Sequence, residues 1–190
     1  VETMSPQKGL ALGYLRLIEE GNLFQGAALV TDFRGIPLDF RYTEPISPTR
    51  LERILYGDAL DVYIREEVIL ESLLKAVEVK PSLWVCNDRK LLEFLKEHAA
   101  CPPIFLESTS YSPLDAVGEM VPQPEAGAYL VQVDPISAPL KLIVPVGTGE
   151  DAVKSAASIL IEAAASMELL EPFARIKRAL EAVAAGEITE

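Results

Sequence analysis

Histidine occurs once in this chain of 190 residues, at position 98, and tryptophan also occurs once. Any Ser-His-Asp or Cys-His mechanism must therefore use His98. The two cysteines, Cys86 and Cys101, are too few for a disulfide scaffold. Asn and Gln are scarce as well, at two and four, a depletion common in thermophile proteins. No apolar run reaches the roughly 18 residues needed to span a bilayer. The opening VETMSPQKGL lacks the basic-then-apolar pattern of a secretory signal, so a cytoplasmic location is expected. Positive charge is short: 17 Lys and Arg face 29 Asp and Glu, for a net charge of −12. A surface that acidic repels phosphate groups, which predicts neither a nucleic-acid nor a membrane partner.

Apolar residues are plentiful, at 49%, enough for one good-sized domain or a domain with an appendage. LALGYLRLIEEGN reads as a strand ending at a Gly21-Asn22 turn. AALVT and PLDFRYT form a hairpin turning through Asp32 and Gly35, the first and fourth positions of a type I turn. In its second strand Leu38, Phe40 and Tyr42 alternate with Asp39, Arg41 and Thr43, which predicts one buried and one wet face. A helix start follows, with Ser47 as cap and Pro48 at the first helical position. Gly57 closes that helix. Asp58 caps a longer one whose apolar residues spread around its axis, so that it is covered on more than one side.

SLWVC, DRKLLEFLKEHAA and PPIFLE then give strand, amphipathic helix and strand. That is a βαβ unit with parallel strands. Residues 108–126 read as a long surface connection, a lid or a boundary. A second hairpin turns at DPISAP. A helix capped by Thr148 follows, broken at Glu171-Pro172, and a last helix closes at Gly186. The expected fold is α/β bordering on α+β. It is a mixed parallel and antiparallel sheet flanked by helices, with one βαβ unit and two hairpins. The expected organisation is a hairpin plus βαβ domain over 1–107, a connection over 108–126, and a hairpin with two C-terminal helices over 127–190 packed on the same domain. The stretch ALVTDFRGIPLDFRYTEP with TRLERILYGDAL resembles bacterial proteins described only as hypothetical. That resemblance covers about the first hundred residues and implies no activity.

The βαβ unit excludes several chemistries. From Asn87 to His98 the helix runs roughly 16 Å at 1.5 Å per residue. Cys86 and Cys101 therefore sit at opposite edges, too far apart for a disulfide or a shared zinc ion. VPVGTGED lacks the spacing of a phosphate-binding glycine loop, and its acids would repel phosphate. No metal and no cofactor is expected.

Ligands of parallel sheets bind outside the carboxyl ends of the strands. Those ends carry Asn87, Asp88 and Arg89 after one strand and Glu107, Ser108 and Thr109 after the next. Asn87, Asp88, Arg89, Ser108 and Thr109 are the candidate ligand-binding residues, although capping alone would explain Asn87 and Asp88. Between residues 9 and 74 every cationic side chain is arginine, the better residue for planar contacts. Arg41, Arg50 and Arg53 are the candidates for binding a partner, an acidic protein or a small anionic ligand. The apolar stripe Leu169, Leu170, Phe173, Ile176, Leu180 and Val183 fits packing on the protein's own sheet first and a dimer interface second, and with the neighbouring alanine run it suggests a homodimer. The leading expectation is a non-catalytic, self-associating binding or scaffold protein. The alternative is a small-molecule enzyme using Asp88 and Glu107 as acid and base.

Overall fold

The structure, a computed structural model, describes residues 9–187. Most of the stretch read above for a secretory signal lies outside them. Strands β1 (Ala11–Glu20), β2 (Leu23–Asp32) and β3 (Pro37–Tyr42) form an antiparallel meander. The first turn joins β1 to β2 as a hairpin of its own. At the second, the Gly35 amide donates to the Asp32 carbonyl at 3.0 Å, as the turn signal predicts.

Helix α1 (Arg50–Tyr56) begins two residues later than expected. Its cap is Thr49, which forms a capping box with Glu52. Ser47 and Pro48 stay outside because Ile46 pairs with Phe24 and the Pro48 carbonyl accepts from the Asn22 side chain. A 3₁₀ turn (Gly57–Ala59), α2 (Leu60–Tyr63), a π-helical segment (Ile64–Glu71) and α3 (Ser72–Ala76) then run on without a break. Asp58 makes no side-chain cap here. The π segment accounts for the scattered apolar pattern, because its wider turn carries both Ile64 and Ile69 to the core. Gly26 of β2 permits this approach: a Cβ there would lie 2.4 Å from Ile69 Cγ2.

Strand β4 (Leu83–Cys86), α4 (Arg89–His98) and β5 (Pro103–Glu107) are the expected βαβ unit, with β4 parallel to both β1 and β5. Residues 108–126 contain a short edge strand, β6 (Met120–Pro122), pairing with β7 (Ala128–Val131). Strand β7 pairs in turn with β8 (Leu140–Ile143). Among the described residues one eight-stranded sheet results, ordered β3-β2-β1-β4-β5-β8-β7-β6. The expected mixed sheet flanked by helices is therefore the observed fold.

Helix α5 (Glu150–Ala164) is capped by Gly149 instead of Thr148, whose hydroxyl donates to the Pro145 carbonyl. It ends before the expected break, and α6 (Glu171–Ala184) carries Pro172 in its first turn. Helices α5 and α6 cover one face of the sheet, burying Leu12, Tyr14, Leu160, Phe173, Ile176 and Leu180 together. The π segment, α3 and α4 cover the other, around Leu15, Trp84, Leu70 and Leu91. Leu169, Phe173, Ile176, Leu180 and Val183 are therefore buried against this chain's own sheet, the first of the two uses expected for that stripe, and are not left free for a dimer face. Strand β3 lies at the sheet edge, so the expected burial of one face is incomplete: Leu38 and Tyr42 remain exposed, while Asp39 is tucked in. Among the described residues no helix is long and apolar enough to cross a membrane.

Candidate functional site

Because β1, β4 and β5 are parallel, their carboxyl ends share one rim, and the start of β8 joins it from the antiparallel side. Asp88 caps α4, accepting from the Lys90 amide at 2.9 Å. Asn87 stands exposed beside it. The first two residues of α4 then reach opposite ways along the rim. Lys90 approaches Glu19 of β1 at 3.4 Å, where Arg65 from the π segment also binds, at 2.6 Å. Burial works against the charge on Glu19, but the Arg65 hydrogen bond and the nearby Lys90 outweigh it and hold the carboxyl below its usual range.

Arg89 turns toward β5 and β8. Its guanidinium lies over the Phe105 ring, 5.4 Å from the centroid, and its two terminal nitrogens bind both carboxylate oxygens of Glu125. Lys141 of β8 faces Glu107 across the β5–β8 pair, with its ammonium 3.7 Å from Glu107 and 3.5 Å from Glu125. The Arg89 hydrogen bond, helped by Lys141, draws the Glu125 carboxyl down to about 2. The rim thus carries two ionic clusters, Arg65 and Lys90 about Glu19, and Arg89 and Lys141 about Glu125 with Glu107 beyond.

Arg89 and Glu107, both read from the sequence as rim residues, are brought into one network. Asp88 belongs to the helix cap, so Asp88 and Glu107 do not meet as an acid–base pair through any contact seen here. Ser108 and Thr109 open onto the other face. They line a cavity of about 230 Å³ with Asp134, Ser137, Met167 and Glu168, and the Thr109 hydroxyl donates to the Pro139 carbonyl.

Two of the arginines expected at a partner surface, Arg41 and Arg53, hold the fold locally. Arg41 binds Asp39 at 2.8 Å and Glu78 at 3.3 Å. Arg53 ties α1 to Asn22 of the first turn at 2.8 Å. Arg50 is exposed at the head of α1, a helix that buries none of its residues.

Glu19, Lys90, Glu125 and Lys141 were not singled out from the sequence. Lys141 becomes visible only once β8 is placed in register with β5, and Glu125 sits in a turn with no periodic signal. Both cysteines are free. Burial pushes the Cys86 thiol up to about 12 and the Cys101 thiol up to about 11. His98 accompanies Cys101 at the amino edge of the unit, around a cavity of about 340 Å³. Among the described residues no group of three or more His, Cys, Asp or Glu side chains is placed to hold a metal ion.

No family model matches the chain, and no curated protein does. Solved structures do share its fold. Endonuclease V from Streptomyces avermitilis superposes with a TM-score of 0.57 at 15% identity, over 95% of this chain and 86% of that one. Endonuclease V from Ciona intestinalis, as the D234N variant with a 23mer DNA containing an inosine followed by a ribo-adenosine, gives 0.55 at 9% identity, over 97% and 89%. The same enzyme with a 24mer DNA gives 0.51 at 10% identity, over 93% and 86%.

This likeness corrects two expectations. The expectation of a non-catalytic binding or scaffold protein is overturned, because the fold neighbours are endonucleases. Exclusion of nucleic acid fails too, because two of those neighbours are solved on DNA. That exclusion rested on net charge, which sums over the whole surface. A strand of nucleic acid meets only the local potential.

Proposed function

We propose that this chain is an enzyme acting on a nucleic-acid strand, which it engages at the carboxyl rim of β1, β4 and β5. The observation that carries the reading is the fold, shared over nearly the whole chain with endonucleases V. The rim supports it with its cations, Arg65, Lys90, Arg89 and Lys141. These are the groups that would meet backbone phosphates. Glu107 is the candidate general base, half-exposed and 3.7 Å from Lys141. It would take a proton from the water whose oxygen attacks phosphorus, while the phosphodiester P–O bond breaks and the departing oxygen takes up a proton from solvent. Two free cysteines fit a cytoplasmic setting.

The test uses the full chain with a labelled 23mer DNA containing an inosine followed by a ribo-adenosine, as in the neighbour's complex. A matched DNA without inosine serves for comparison. Mg²⁺ or Mn²⁺ is included, since bound divalent ions commonly assist phosphoryl chemistry. Binding that weakens as salt rises from about 50 to 200 mM is expected, with cleavage products on a denaturing gel that Glu107→Gln removes. No binding at low salt and no cleavage of either DNA would refute the reading.

A further inference from the structure

We propose that Arg89 and Lys141 form a phosphate subsite of this nucleic-acid track, and that Glu125, from the turn between β6 and β7, fills it as a built-in competitor. The inference rests on the proposed function and deepens it. A guanidinium presents the same planar fork to a carboxylate and to two oxygens of a phosphate. Glu125 occupies that fork with both of its oxygens. The face of Phe105 lies 5.4 Å beneath the guanidinium and attracts its charge.

Lys141 is the less satisfied partner. Its side chain is only 26% exposed, yet its nearest carboxylate oxygens lie at 3.5 and 3.7 Å. Both distances exceed the roughly 2.7–3.2 Å of a good N–H···O hydrogen bond. The ammonium is drawn between two carboxylates without closing on either. A tetrahedral phosphate has an oxygen to spare for it while two others engage the fork.

The competitor is held in place by its turn. The Ala128 amide donates to the Glu125 carbonyl at 3.2 Å, and Gly127 has φ 76°. A Cβ on Gly127 would lie 2.5 Å from the Val144 carbonyl oxygen, so the turn's path against β8 depends on glycine. The Glu125 side chain is 39% exposed. It can swing into solvent when a phosphate arrives, with no strand moving. An isolated phosphate must outcompete a tethered carboxylate. A polynucleotide, bound at neighbouring cations too, does so far more readily.

The experiment compares wild type, E125Q, R89Q and the triple variant R89Q/E125Q/K141Q. The probes are labelled 23mer DNA and, separately, inorganic phosphate. Circular dichroism confirms the fold of each. E125Q is expected to bind the DNA about tenfold more tightly at low salt, with a salt dependence steeper by about one phosphate contact. It should also bind inorganic phosphate that wild type hardly binds. The triple variant should lose both gains, and R89Q alone should bind DNA more weakly than wild type.

If wild type and E125Q bind DNA equally, and R89Q does as well, the subsite is refuted while the nucleic-acid reading stands. If no variant binds DNA but E125Q binds phosphate and the triple variant does not, the anion subsite stands and the nucleic-acid reading falls. If E125Q gains affinity for neither probe, the competitor role of Glu125 is overturned.

Discussion

Tyr14 and Leu169 stand 155 positions apart in the chain, yet the Tyr14 hydroxyl donates to the Leu169 carbonyl at 2.8 Å. The bond ties the inner strand β1 to the loop between α5 and α6. The Tyr14 ring packs edge-on against Phe173 at 5.2 Å, and Arg16 on the same face of β1 donates to the Phe173 carbonyl. Tyr14→Phe keeps the packing but leaves a buried carbonyl unpaired. Urea unfolding should show a loss of about 1–2 kcal/mol. A loss near zero would mean that water already satisfies that carbonyl.

Thr31 is the opposite case. It is fully buried in β2, and its hydroxyl has no hydrogen-bond partner among the described residues. Thr31→Val keeps the shape and removes the unsatisfied oxygen. It should leave stability unchanged or raise it by up to about 1 kcal/mol. A clear loss in the same unfolding measurement would reveal a partner for the hydroxyl.

The βαβ unit was legible because every level of the sequence agreed: a four-residue apolar strand, an aspartate cap, a helix with Leu91, Leu92 and Leu95 on one side, and a second apolar strand. Where local signals competed, tertiary contacts decided. Ser47-Pro48 is as good a helix start as Thr49, but the pairing of Ile46 with Phe24 keeps that stretch extended. The π segment keeps a helical composition and changes only the period, which a scattered apolar pattern signals without locating. The rim was half legible. Arg89 and Glu107 follow from strand ends, a local feature. Their link through Glu125 spans 36 residues from Arg89 and depends on a turn whose placement only the assembled sheet fixes.

Acid stability should report on Asp39. Its side chain is only 7% exposed, and it accepts from the Glu78 and Val79 amides at 2.7 and 3.2 Å while binding Arg41. Burial alone would raise its pKa, but those hydrogen bonds outweigh burial and hold the carboxyl below its ordinary 3.8. A carboxyl depressed by folding stabilises the fold above its unfolded value. That contribution fades as pH falls through the folded value. Asp39→Asn should therefore be less stable than wild type near neutral pH, and the gap should close below about pH 4. Urea midpoints measured across that range decide the matter. A gap that stays constant down to pH about 2.5 would rule out the charge as its cause.

Asp88 separates a structural role from a chemical one. Its carboxylate accepts the Lys90 amide, and its backbone is extended as a cap requires. An asparagine caps about as well as an aspartate, whereas an alanine does not. Asp88→Ala should therefore cost about 1 kcal/mol of stability and loosen the start of α4. That would disturb both Arg89 and Lys90, and with them DNA binding at the rim. Asp88→Asn should change neither stability nor turnover, because the hydrogen bond survives and no proton transfer is asked of this carboxyl. Glu107→Gln is the contrast, as it should leave stability nearly unchanged while abolishing cleavage. A loss of turnover in Asp88→Asn with its urea midpoint intact would give Asp88 a chemical role and make the rim's acid pair real.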